Sequence, residues 1–273
     1  MGMFDGKKGL ILGVANDRSI AWAIAQVIMD QGGICGFNHL PDKPDDERQR
    51  NRRRVTNLTD AYGENAKFVH PLDVQKDDDI AAFMAKAKAE FGQIDFMLHS
   101  IAFATLDDLK KETIATSREG FKLAMEISAY SLLATINAAK DMFSAQSSVL
   151  TLTYYGGEKI VPGYNVMGIC KAALDACMKY AAFDMGPKGV RVNALSAGPL
   201  KTLASSAVGA KDMGPLYEAV SPAGKCVTHD DVGRVGAFLL SPMSDGITAE
   251  IVHVDFGYTA MGSPGRMLDR LKG

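Results

Sequence analysis

Tyr164 and Lys171 stand seven residues apart in the run Tyr164-Asn165-Val166-Met167-Gly168-Ile169-Cys170-Lys171. Seven steps are nearly two helical turns, so a helix there puts both side chains on one face, roughly 10 Å apart along its axis. An ammonium near a phenol favours the phenolate and lowers the hydroxyl's pKa from its ordinary value of about 10. Lysine is also a three-donor point charge that can hold ribose hydroxyls. Spacing alone fits equally a tyrosine at a helix start and a lysine on the helix's wet face.

A second candidate is the turn Gly13-Val14-Ala15-Asn16-Asp17-Arg18-Ser19-Ile20-Ala21. Glycine at a strand end lets the chain turn sharply, and the next helix presents free N–H groups and a positive dipole end to a pyrophosphate. Ser19 is placed to cap that helix or to donate to a phosphate oxygen. Only Gly13 of the usual three-glycine fingerprint is present, so an ordinary strand-to-helix turn fits too. The second strand ends in Phe37-Asn38-His39-Leu40, without the acid that commonly takes the adenosine ribose in NAD sites. His39, Lys43 and Arg48 could meet the extra phosphate of NADP or form a solvated surface. Asp73-Val74 suits an adenine-edge contact, or a helix cap.

These groups need a scaffold, and short apolar runs alternating with amphipathic ones supply it. Strands are predicted at Gly9–Gly13, Gly33–Phe37, Lys67–Val69, Asp95–Ser100, Val149–Thr153, Val190–Leu195 and Ile251–Val254. Helical patterns occupy Ser19–Gln31, Asp77–Phe91, Ser117–Phe143, Tyr164–Met185 and Asp230–Leu240. Strands separated by helices imply a single α/β domain over residues 1–273, Rossmann-like and doubly wound. It has a parallel sheet of about seven strands and helices on both faces. Two stretches interrupt the alternation. Pro41–Thr56 is polar and holds Arg48, Arg50, Arg52, Arg53 and Arg54. Pro199–Val227 is a long connection leaving a strand's carboxyl end, where ligands sit in such sheets, and reads as a lid over the substrate.

Hydrophobic residues make up 47% of the 273 and charged ones 23%, with a net charge of −2. That excludes a disordered chain and an overall basic field for nucleic acid. Cys35, Cys170, Cys177 and Cys226 have no metal-ligand spacing and are too few for a disulfide scaffold, so no metal is expected and a reducing cytoplasm is. The first residues lack the apolar core of a signal peptide, and no apolar run approaches the ~20 residues of a membrane span.

The chain resembles the short-chain dehydrogenase/reductase superfamily, and within it the bacterial enoyl-acyl carrier protein reductases of type II fatty acid synthesis. The resemblance rests on Gly13-Val14-Ala15 with Ser19-Ile20-Ala21, Asp73-Val74, His99-Ser100-Ile101-Ala102-Phe103-Ala104 and Ser117-Arg118-Glu119-Gly120-Phe121. It continues through Tyr154, Tyr164-Asn165-Val166-Met167-Gly168, Lys171, Gly186 to Ala194, Ser196-Ala197-Gly198-Pro199 and Val252-His253-Val254-Asp255. Ketoreductase relatives have tyrosine four residues before lysine. Here Met167 occupies that place, and Tyr154 the place of their serine. A phenol moved back along the helix leaves room for a thioester oxygen beyond the reacting alkene.

The resemblance implies hydride transfer from NADH, with NADPH not excluded, to the β-carbon of a trans-2-enoyl thioester on acyl carrier protein. Tyr164 would stabilise the enolate oxygen, a donor worth ~2.7–4 kcal/mol. Lys171 would hold the nicotinamide ribose, and Tyr154 would be the supporting phenol. Gly13, Ser19, Ile20, Leu40, Asp73, Val74, Ile101, Leu200, Lys201, Thr202, Leu203 and Ala204 would line the cofactor, and Ala104 would border the substrate. A cytoplasmic homotetramer is implied as well. Cys170 is read as core. Leu40, Ala102, Phe256 and the long basic Pro41–Thr56 stretch depart from the family pattern. The alternatives are another short-chain reductase, for enoyl-CoA or a ketone, and a non-catalytic NAD-binding regulator on the same fold.

Overall fold

The computed structural model describes residues 2–200 and 213–270. Seven strands form one parallel sheet in the order β3-β2-β1-β4-β5-β6-β7. They are β1 (Lys8–Leu12), β2 (Ile34–His39), β3 (Ala66–Pro71), β4 (Ile94–His99), β5 (Phe143–Thr153), β6 (Arg191–Ala197) and β7 (Ile251–Val254). The order reverses between β1 and β4, which opens a crevice at the carboxyl ends of those two strands.

Both faces of the sheet are covered, and for that reason the central strands carry short apolar runs such as Leu10–Leu12 and Phe96–Leu98. Successive side chains still alternate between the faces. Leu10, Leu12, Met97, Val149 and Val192 pack with α3 (Asp77–Phe91), α6 (Ser131–Ala139) and α7 (Asn165–Met185). Ile11, Phe96, Leu98, Leu150 and Leu195 pack with Trp22, Ile24 and Ile28 of α1 (Ile20–Asp30) and with Val232 and Leu239 of α9 (His229–Leu240). The helix ends follow local chemistry. Asp77, Asp78 and Asp79 open α3 against its positive dipole end, and Thr228 with Asp231 forms a capping box for α9.

Two stretches differ from the sequence expectation. The helical pattern over 117–143 is not one helix. It divides into α5 (Arg118–Met125), a π turn at Glu126–Tyr130 and α6, and on that turn the Ser128 hydroxyl bonds the Phe103 backbone of a neighbouring loop. The polar Pro41–Thr56 stretch runs into α2 (Arg50–Thr59), whose Asn51 and Arg52 amides are accepted by Asp42 at 2.6 and 3.2 Å. The remaining α-helices among the described residues are α4 (Leu106–Lys110), α8 (Met213–Val220) and α10 (Met267–Arg270). No helix among the described residues is long and apolar enough to cross a membrane.

Candidate active site

At the crevice, Gly13 takes φ +100°, and a Cβ there would stand 2.0 Å from the Ser100 carbonyl oxygen. Only glycine therefore lets β1 turn this close to β4. The Gly13 amide donates to Asn38 Oδ1 at 2.8 Å, so a polar residue near the end of β2 braces this turn. Ser19 does not cap α1, as its position suggested. Its hydroxyl accepts the Ala15 and Asn16 amides, each at 3.0 Å. That leaves the first-turn amides of Ile20 and Ala21 without a partner among the described residues. Free amides at a helix start beside a glycine turn suit a pyrophosphate.

The other cofactor candidates lie at neighbouring strand ends. Ile101 is half-buried beside Gly13, and Leu40 follows β2 with its side chain 59% exposed. The Asp73 carboxylate closes a local surface turn, accepting the Gln75 amide at 3.1 Å and lying 3.5 Å from Lys76 Nζ. Val74 is core, and Leu200 is buried beyond the end of β6. His39 is not available to a 2′-phosphate. It is buried, with Nδ1 2.9 Å from the Leu40 carbonyl oxygen and 3.9 Å from Asp42. Lys201, Thr202, Leu203 and Ala204, with the rest of residues 201–212 of the connection expected to cover the substrate, lie outside the described residues.

Tyr154 follows β5 directly, and a tight turn at Tyr155–Gly157 returns the chain toward α7. This turn sets the candidate groups around itself. A Cβ on Gly156 would stand 2.5 Å from the Tyr164 ring, and one on Gly157 2.9 Å from the Lys171 backbone. Tyr164 and Tyr154 meet edge to face, with ring centroids 4.8 Å apart at 66°. Asn165, at φ +39°, donates from Nδ2 to the Leu109 carbonyl at 2.8 Å and to the Lys111 carbonyl at 2.5 Å. A non-glycine residue in that region is strained, and those two bonds anchor the start of α7 next to Tyr164. Ala104 packs in the same small apolar cluster as Tyr164, with Leu109, Val166 and Met167. Ser128, on the π turn, accepts the Phe103 amide at 3.0 Å and donates to the Phe103 carbonyl at 3.1 Å, holding the loop that carries Ala104.

Lys171 is buried and donates to the Leu152 carbonyl at 2.7 Å. Desolvation pushes its pKa down to about 8, against the attraction of Asp175. His99, buried between Thr151 and Ser131, is pushed down to about 3 by burial and by Lys171, so it stays neutral. The expected lowering of the Tyr164 hydroxyl by Lys171 is not found. Burial raises it, as do Tyr154, Cys170 and Asp175. Burial therefore keeps the Tyr164 phenol neutral, while the lysine ammonium is turned to the β5 carbonyl of Leu152. Cys170 is buried with its thiol pushed up to about 11, an inert core position.

A family model for enoyl-(acyl carrier protein) reductase matches residues 13–259. The chain belongs to this family. Among its relatives, the enoyl-[acyl-carrier-protein] reductase [NADH] FabI of Rickettsia conorii is 44% identical over 263 residues, 96% of this chain and 98% of that one. The crystal structure of the Bacillus cereus enoyl-acyl carrier protein reductase with NADP+ and indole naphthyridinone superposes with a TM-score of 0.91. It is 41% identical, covering 96% of this chain and all of that one. The Anaplasma phagocytophilum reductase in complex with NAD gives a TM-score of 0.88 at 40% identity, covering 96% and 97%. On this enoyl reductase chain, the crevice between β1 and β4, the free α1 amides and the buried Lys171 form a set that fits a nicotinamide dinucleotide.

Proposed function

We propose that the protein reduces trans-2-enoyl thioesters carried on acyl carrier protein, using NADH. The observation that carries this reading is the Tyr154–Tyr164 pair and the buried Lys171, gathered around the Gly156-Gly157 turn, on a chain of the enoyl reductase family. The Rickettsia conorii relative is named for NADH, and the solved relatives hold NAD or NADP+, so NADPH stays open as a second donor. His39 being turned inward favours NADH.

When bound, the nicotinamide supplies the hydride for the substrate's β-carbon. The chain's residues do the rest. Gly13 and the Ile20 and Ala21 amides receive the pyrophosphate. Ile101 lines the nicotinamide side, with Leu40 and Val74 toward the adenine and Asp73 shaping that turn. Lys171 donates to the ribose hydroxyls. As negative charge gathers on the thioester oxygen, Tyr164 donates a hydrogen bond to it and Tyr154 supports that donor. Ala104 borders the acyl chain.

The direct test is the fall of reduced-nicotinamide absorbance with an enoyl thioester of acyl carrier protein, run with NADH and NADPH in parallel. No consumption with either cofactor would remove the reading. Lys171 adds a pH signature. Its ammonium is lost as pH rises through about 8 in the free enzyme. The kcat/KM for NADH should therefore be flat below that value and fall above it, since this ratio reports free-enzyme groups. Lys171→Arg, which stays charged, should lack the alkaline fall. A flat wild-type profile to pH 10 would detach Lys171 from cofactor binding.

The same reading includes a homotetramer in the cytoplasm. Ile169, Tyr180 and Phe183 line the outward face of α7, Tyr180 and Phe183 at 75% and 80% exposure. Such large apolar groups on one helical face suit a second copy of this chain.

A further inference from the structure

The Tyr154 hydroxyl lies 3.0 Å from that of Tyr217 on α8, sixty-three residues further along the chain. Tyr217 is only 2% exposed. Its ring stacks on Tyr258 with centroids 3.7 Å apart at 15°, and Tyr155 meets Tyr258 edge-on at 6.0 Å. Tyr258 opens the short helical turn after β7, which the Asp255 carboxylate fixes by accepting the Gly257 and Thr259 amides, each at 2.9 Å. A rigid wall therefore holds the Tyr217 ring and delivers its hydroxyl to Tyr154. Through Tyr154 the contact reaches Tyr164.

We infer that Tyr217 is a positioning residue for the enoyl reduction, orienting the Tyr154 hydroxyl toward Tyr164 and the substrate oxygen. This rests on the reductase reading above. Either phenol of the pair can donate. When Tyr217 donates, the Tyr154 proton is turned away from it, toward the thioester side. A hydroxyl that accepts a hydrogen bond is also the better donor, because linked bonds polarise one another. A buried tyrosine hydroxyl needs a partner, and among the described residues Tyr217 has Tyr154 alone. A purely structural Tyr217 would affect folding without acting through Tyr154.

Tyr217→Phe removes one oxygen and keeps the stack on Tyr258. Steady-state rates are measured with NADH and an enoyl thioester of acyl carrier protein for the wild type, Tyr217→Phe, Tyr154→Phe and the double variant. Tyr217→Phe should lower kcat about 3- to 10-fold, the worth of one hydrogen bond, with KM little changed. Added to Tyr154→Phe, it should cost nothing further. Tyr258→Leu, which removes the stack instead, should show the same dependence on Tyr154 and serves if Tyr217→Phe folds poorly. An unchanged kcat, or an equal loss in both backgrounds, overturns the inference and leaves the reductase reading standing. A wild type that consumes no cofactor overturns both.

Discussion

Lys171→Ala should weaken NADH binding by about 10- to 100-fold, the loss of one charge-assisted set of hydrogen bonds at ~1.5–3 kcal/mol. The lysine is held in a narrow sleeve. Its ammonium donates to the Leu152 carbonyl at 2.7 Å, the Gly157 turn presses on its backbone, and Asp175 is the neighbouring anion. Alanine removes the donor to the ribose, strands the Leu152 carbonyl and leaves a cavity, so stability should fall as well. Lys171→Met separates the two effects. It fills the space and lowers cofactor affinity without the full loss of stability. Lys171→Arg keeps the charge and should be milder. Fluorescence titration of NADH on the folded variants is the measurement. An alanine variant that binds NADH as the wild type does would refute the assignment.

The sheet was legible because its strands are buried on both faces, which makes them short apolar runs such as Gly9–Leu12 and Val149–Leu152. Helix α2 was not. Among its ten residues only Val55 and Thr59 are buried, so it has no apolar stripe to find. The π turn at Glu126–Tyr130 is equally silent in sequence, since no residue type in Glu-Ile-Ser-Ala-Tyr marks a change of helical pitch. The contact it makes, the Ser128 hydroxyl bound to Phe103, joins residues 25 apart. At the site, seven-residue spacing brought Tyr164 and Lys171 to the same turn but said nothing of where the ammonium points. The neutral state of Tyr164 follows from burial. Tyr217 escaped because its role depends on a partner 63 residues away. Its only signal is a lone tyrosine in the polar-to-apolar run before Val220.

Tyr164→Phe should lower turnover on an acyl carrier protein substrate on the order of 10²-fold, the usual worth of one oxyanion donor. Binding of NADH and substrate should change little, because the hydroxyl acts on charge that develops only in the transition state. The geometry makes this a clean substitution. Phenylalanine keeps the ring against Tyr154 at 4.8 Å, against Gly156 and in the Ala104 cluster. No hydrogen bond to the Tyr164 hydroxyl exists among the described residues to be stranded. Burial holds the phenol neutral, so the wild type should show no inflection from this group between pH 6 and the alkaline limit set by Lys171. Tyr154→Phe should fall less, since that phenol works through its neighbour. A larger loss in Tyr154→Phe than in Tyr164→Phe would exchange their roles and make Tyr154 the donor to the enolate. Equal turnover in wild type and Tyr164→Phe would remove the phenol from the reaction, leaving Lys171 and the bound cofactor to carry the charge.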